Sequence, residues 1–162
     1  MKLWDLRHLA LAKEIASWSK DPSTQVGALI VGANRRPLSW GYNGFASGVP
    51  DCPSAYLDRK LKYEKVIHAE VNAIILSGRD LRDSTLYTYP FPPCGRCSGV
   101  VINAGISRVV SLAPWPERWD ESIQLGLDQF AAAGVETQNY RPEDLKWLAL
   151  ENMRVQTSSS CC

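Results

Sequence analysis

Two short clusters, His68-Ala69-Glu70 and Pro93-Cys94-Gly95-Arg96-Cys97, restrict how this 162-residue chain can fold more than any other feature. They supply one imidazole, two thiols and one carboxylate. Three ligands, an open position and an acid/base that is not a ligand are the protein side of a catalytic Zn2+ site. Each cluster also reads as the start of a helix. After His68 come apolar Val71, Ile74 and Ile75, with Gly78 as a stop, and Pro92-Pro93 marks the entry to a helix over Gly95 to Ala104. Cys94 and Cys97 are three apart, so both sulfurs can face one side of that helix. The partial positive charge of a helix N-terminus lowers thiol pKa values and favours thiolates. Two thiolates and a neutral imidazole balance the charge of one Zn2+, and Glu70 is left as the group that moves protons.

Other readings of these residues need partners. Half of a structural zinc site needs a second ligand pair, and the remaining His8, Cys52, Cys161 and Cys162 show none at ligand spacing. A redox C-x-x-C belongs in a βαβ context nearer the N-terminus. A histidine standing alone is more often packed or capping, but here Glu70 and the Pro-Cys-x-x-Cys accompany it.

Length points to one domain, read over 1–155, with 156–162 as a disordered tail. The 18 basic and 17 acidic residues give a net charge of +1, which argues against a nucleic-acid substrate. No apolar run is long enough to span a bilayer, and Met1 to Arg7 lacks the pattern of a signal peptide. The expected location is the reducing cytoplasm. The five cysteines agree, since an odd count with two in a C-x-x-C is not a disulfide framework.

Hydrophobic periodicity predicts a helix over Leu3 to Ser19, stopped by Asp21-Pro22, and a buried strand over Gln25 to Val31. Asn34-Arg35-Arg36-Pro37 is a turn into a second strand, Leu38 to Tyr42. Asn43 to Ala55 reads as a long loop, Tyr56 to Lys65 as a charged helix and His68 to Ser77 as a buried one. Strands over Ser84 to Tyr89, Arg108 to Leu112 and Val135 to Asn139 then alternate with helices over Gly95 to Ala104, Arg118 to Ala133 and Glu143 to Met153. This alternation predicts an α/β fold, a three-layer α/β/α sandwich on a mixed, roughly five-stranded sheet. Arg59, Lys60, Lys62 and Lys65 could hold a phosphate, but for most of them a solvated helix face is the favoured reading.

The order H-x-E … P-C-x-x-C is the signature of zinc-dependent nucleobase deaminases. Within them, the chain resembles the deoxycytidylate (dCMP) deaminases. Four stretches carry the resemblance: Ser19-Lys20-Asp21-Pro22-Ser23-Thr24-Gln25-Val26-Gly27-Ala28; Gly41-Tyr42-Asn43-Gly44-Phe45; Lys62-Tyr63 with His68-Ala69-Glu70-Val71-Asn72-Ala73-Ile74; and Pro93 to Cys97 with Ile102-Asn103-Ala104-Gly105-Ile106. The resemblance implies hydrolysis of dCMP to dUMP and ammonia, supplying thymidylate synthesis. It implies that Asn43 hydrogen-bonds the substrate, that Ala28 lines the pocket floor, and that backbone around Ala69, Pro93 and Cys94 meets the ring edge. Asn72 reads equally as a sugar contact or a group satisfying the helix end. Thr24, Tyr42 and Gly44 fall where the family has a phosphate or effector loop for dCTP or dTTP, with Mg2+ accompanying the nucleotide. A homo-oligomer, a hexamer or smaller, is implied as well.

Asn43-Gly44 is also a common turn pair, and Ala28 also suits a core. Ala46 and Ser47 stand where the family has proline. Ser98-Gly99 replaces Ala-Lys and is similar to cytosine and tRNA-adenosine deaminases. A deaminase of another cytosine or purine substrate (dCTP, a nucleoside, a free base or tRNA adenosine) therefore stays open. So does a non-catalytic, zinc-stabilised nucleotide-binding module.

Overall fold

The computed structural model describes residues 2–148. The tail at 156–162, the end of the helix expected over 143–153 and the terminal cysteine pair lie outside the described residues.

Strand β1, Gly27–Val31, is buried along its whole length because both its faces are covered. Ala28 and Ile30 enter one apolar core, and Leu29 and Val31 enter another. A GALIV run can satisfy both, since alternate side chains leave a strand on opposite faces. Around it lie β2 (Pro37–Tyr42), β3 (Thr85–Tyr89), β4 (Arg108–Leu112) and β5 (Glu136–Tyr140), in the order β2-β1-β3-β4-β5. β1 runs antiparallel to β2 and β3, whereas β3, β4 and β5 are parallel to one another. The mixed five-stranded sheet is as expected.

Helix α1, Lys2–Ala16, covers one face with Leu9, Ala12 and Ile15 packed on Leu29, Tyr87 and Val110. The other face carries α3 (Ala69–Ser77), α4 (Gly95–Asn103) and α5 (Asp120–Ala132), whose Ala69, Ala73, Val101 and Phe130 meet Ala28, Ile30, Leu86 and Val109. This completes the three-layer sandwich. Two glycines set the spacing between layers. A Cβ on Gly27 would run into the Ala12 carbonyl and lie 2.5 Å from the Ala16 amide nitrogen. One on Gly41 would lie 2.5 Å from the Ala73 nitrogen and 2.6 Å from the Ala69 carbonyl oxygen. Only glycine lets α1 approach β1, and α3 approach β2, this closely.

The segment read as one helix over 56–65 is broken. A 3-10 turn, Pro53–Tyr56, precedes α2, Arg59–Lys65. Asp58 starts α2 anew by accepting the Leu61 amide at 3.0 Å. Similarly, the start of the expected 118–133 helix is a 3-10 turn, Glu117–Trp119, that leads into α5.

The Asp5 carboxylate ties α1 to three strands, β3, β4 and β5. It accepts Tyr87 Oη at 2.9 Å, Tyr140 Oη at 2.9 Å, and Arg108 at 2.9 and 3.0 Å. Burial alone would push the Asp5 carboxyl up, but the Arg108, Tyr87 and Tyr140 donors outweigh it and hold the carboxyl below its ordinary range. A carboxylate depressed on folding stabilises the protein above its unfolded pKa, roughly 3.9, and loses that contribution as pH falls through the lower folded value. Asp5→Asn is therefore expected to be less stable than the parent in urea at pH 7. The gap should narrow once pH drops below about 4. A constant gap across that window would show that the ionised carboxylate is not what stabilises the network.

Candidate functional site

The two motif clusters do come together, and local backbone explains how. His68 is the N-cap of α3 and Cys94 the N-cap of α4. Both are extended, and neither side chain caps its own helix, so both are free to point away from it. Gly44 fixes the approach to His68 through paired backbone hydrogen bonds with Ile67, at 3.1 and 2.9 Å. Cys97 follows Cys94 after one helical turn and is buried.

His68 Nδ1 lies 3.2 Å from Cys97 Sγ and 3.5 Å from Cys94 Sγ, and the three donor atoms all fall within 4.8 Å of one another. Tetrahedral zinc, with bonds of about 2.3 Å to sulfur and 2.0–2.1 Å to nitrogen, places such atoms roughly 3.5 Å apart. The donor set fits the ion in type, charge and spacing. The Cys97 hydrogen bond, with His68 beside it, holds the Cys94 thiol down to about 3. The Cys94 thiolate in turn draws the His68 imidazole up to about 9. The same Cys94 hydrogen bond, burial and the nearby Glu70 charge push the Cys97 thiol up. Negative charge is thus gathered on Cys94, while His68 and Cys97 retain their protons.

Glu70, in the first turn of α3, is 4% exposed, and burial raises its carboxyl. It shares a pocket with His68, Ala69 and Cys94. The pocket leaves about 680 Å³ of open space, solvent at its mouth included, a volume ordinary for a small-molecule site. Thr24, Val26, Asn43, Phe91, Pro92 and Trp119 are among the residues that line it. Trp119 meets Tyr63 edge-on, with ring centroids 6.2 Å apart, and Phe91 at 6.4 Å.

The lining also includes a buried ion pair. Lys62 Nζ lies 2.7 and 2.8 Å from the two Asp21 oxygens and 2.6 Å from Ser23 Oγ. Asp21 also accepts the Ser23 and Thr24 amides, at 2.8 and 3.1 Å. Burial works to raise the Asp21 carboxyl, but these donors, Lys62 foremost, overcome it and hold it low. Asn43 is locked beside the pair. Its Oδ1 accepts the Val26 amide at 2.7 Å, its Nδ2 donates to the Thr24 carbonyl at 2.9 Å, and Ser19 Oγ donates to its carbonyl at 2.7 Å.

Of the residues expected at the site, the pocket gathers His68, Ala69, Glu70, Cys94, Asn43 and Thr24. Cys97 joins through its sulfur. Others stand behind it. Ala28 is wholly buried in the core under α3. Pro93 is buried while Pro92 lines the pocket. Asn72 donates to the Tyr42 carbonyl at 2.8 Å, a tie between α3 and β2. Tyr42 and Gly44 lie outside the lining. So do Ser98 and Gly99: the Ser98 side chain is buried and donates back to the Gly95 carbonyl at 2.9 Å. The reading of Lys62 as a solvated residue is corrected, because only 6% of it is exposed. Its partner stands 41 residues earlier, and the Asp-Pro after α1 was the one signal that could have pointed there. Phe91 and Trp119 carried no sequence signal.

Residues 2–113 match the family described as cytidine and deoxycytidylate deaminase zinc-binding region. The chain is 41% identical over 155 residues to an "uncharacterized deaminase in luxG 3'region" of Aliivibrio fischeri, covering 93% of this chain and 97% of the relative. It is 34% identical over 146 residues to the deoxycytidylate deaminase of Homo sapiens, covering 86% of this chain and 81% of the human protein. Among solved structures, the dCMP deaminase of cyanophage S-TIM5, in complex with dCMP and dUMP, superposes with a TM-score of 0.70 at 28% identity, covering 83% of this chain and 94% of that one.

Proposed function

The chain belongs to the cytidine and deoxycytidylate deaminases, and from that membership we propose that it hydrolyses dCMP to dUMP and ammonia. The observation that carries this reading is the meeting of the His68, Cys94 and Cys97 donor atoms in one pocket with Glu70. His68, Cys94 and Cys97 would hold the zinc of the family's zinc-binding region. Bound there, zinc supplies Lewis acidity and lowers the pKa of a water to roughly 7.

The chain's own residues do the rest. Glu70 takes a proton from the attacking water and delivers it to the ring nitrogen next to the amine-bearing carbon. It then moves a proton onto the amino group, which leaves as ammonia. One water is consumed and no electrons change hands. Burial raises the Glu70 carboxyl, which favours its holding a proton between the two transfers. Phe91 and Trp119 offer apolar surface to a pyrimidine ring and its sugar, and Thr24 and Asn43 add polar groups to the lining. The human and phage deaminases support dCMP as the substrate. A cytoplasmic location, assembly into a homo-oligomer and an effector response to dCTP or dTTP belong to the same reading.

The test is turnover of dCMP, dCTP, deoxycytidine, cytosine and adenosine by zinc-loaded protein, followed by ammonia release. The monophosphate is expected to have the highest kcat/KM. Equal or better turnover of the base, nucleoside or triphosphate would move the substrate elsewhere in the superfamily. No turnover of any, with zinc bound, would leave a binding module.

A further inference from the structure

The three donors at the metal site are carried on differently supported backbone. Cys97 lies within α4, and the helix itself holds it. His68 precedes α3, and the Gly44–Ile67 pairing fixes its approach. Cys94 has neither support. It is the extended N-cap residue of α4, and its side chain caps nothing. A cysteine has one side-chain torsion with three staggered positions, so the backbone around Cys94 decides where its sulfur stands.

Helix α5 braces that backbone from behind. A Cβ on Gly126 would lie 2.7 Å from the Pro93 carbonyl oxygen and 3.3 Å from the Cys94 carbonyl carbon. The fit is reciprocal, since a Cβ on Gly95 would lie 2.8 Å from Leu125 Cδ2. One turn further along α5, Gln129 Nε2 donates to the Gly95 carbonyl at 3.1 Å. Ser98 Oγ donates to the same oxygen at 2.9 Å. Residues three apart share a helix face, so Gly126 and Gln129 press on the segment together. One turn before Gly126, Ser122 and Ile123 line the pocket. The helix that bounds the substrate space therefore also backs a metal ligand.

The same contacts involve Ser98 and Gly99, neither of which lines the pocket. Ser98 is wholly buried. A Cβ on Gly99 would stand 3.8 Å from Gln129 Oε1, so glycine leaves the Gln129 amide its place.

We infer that Gln129, Gly126 and Ser98 are positioning residues that clamp the Pro93 to Gly95 segment and hold Cys94 in place for zinc. The departure from the family at Ser98-Gly99 then serves metal retention and not the choice of substrate. The inference rests on the reading that His68, Cys94 and Cys97 hold the ion.

The test is zinc affinity, measured by competition between the zinc-loaded protein and 4-(2-pyridylazo)resorcinol. The parent is compared with S98A, Q129M, S98A/Q129M and G126A. D5N, expected to weaken the fold from α1 on the other face of the sheet, controls for lost stability. Affinity is expected to fall about 10-fold or more in G126A and in S98A/Q129M, as for other groups that orient metal ligands, and less in each single variant at 98 or 129. Alanine is the better helix former, so a merely helical role for Gly126 predicts unchanged affinity in G126A. Parent-like affinity in G126A and in the double variant overturns the inference. So does an equal fall in D5N at the same urea stability. If G126A does not fold, the double variant decides alone. With zinc in excess, S98A should keep the parent's relative turnover of dCMP, deoxycytidine and cytosine; a shifted preference would return Ser98 to substrate choice and remove it from the clamp. A parent that binds zinc but deaminates nothing defeats the proposed reaction, and the zinc affinities still decide the clamp.

Discussion

Glu70→Gln is expected to lower kcat for deamination by about 10²–10⁴-fold, the usual worth of a positioned proton carrier. Glutamine keeps the size and most of the hydrogen bonding of glutamate but cannot accept and release a proton. Glu70 is not among the three donors that converge on one point, so zinc content should stay that of the parent. The side chain is buried, and a neutral amide carries less desolvation cost there than a carboxylate. Thermal stability should therefore hold or rise. Rate, metal content by elemental analysis and melting temperature, measured on one preparation, separate the outcomes. Loss of zinc along with activity would make Glu70 a ligand or a support of the site. Full activity with zinc in place would remove it from the chemistry.

The second large effect concerns stability. Lys62→Met leaves Asp21 as a buried carboxylate without its cation. Removing one partner of a buried pair typically costs about 3–5 kcal/mol. The double variant, Asp21→Asn with Lys62→Met, should recover much of that loss, since no uncompensated charge is then buried. Substrate binding should not recover with it. Asp21 positions the Thr24 amide and reaches Asn43 Nδ2 at 3.4 Å, and both residues line the pocket. Urea unfolding at fixed zinc concentration gives the stability cycle, and KM gives the other readout. A Lys62→Met cost below about 1 kcal/mol, typical of a surface pair, would show that solvent reaches the ammonium group.

These two residues mark where sequence reasoning stops. His68, Glu70, Cys94 and Cys97 were legible because each belongs to a local pattern: a fixed spacing, a helix start and a chemistry that needs those atoms. Layer order was legible for a similar reason, because a strand such as Gly27–Val31, bounded by turn signals, announces itself within a few residues. Lys62 was misread because its own neighbours, Arg59, Lys60 and Lys65, do form a charged face, while Asp21 arrives from another part of the chain. The break at Asp58 was also missed, since a capping aspartate inside a polar run resembles any other surface acid. Phe91 and Trp119 belong to connections rather than periodic elements, and only the folded chain shows that they line the same cavity.

The antiparallel step between β1 and β3 has a consequence for how the motif can be used. It sets the first residue of β1, Gly27, opposite the last of β3, Tyr89, so the connection entering β1 and those leaving β3 and β4 open at one end of the sheet. A fragment spanning 60–113 would carry the histidine, the glutamate and both cysteines. It would lack the wall built from Asp21 to Asn43 and the one built from Trp119 to Ile123. The metal-binding pattern is therefore not a portable cassette. Grafted onto another scaffold, it could bring along a metal, but its selectivity resides in parts of the chain that the pattern does not contain.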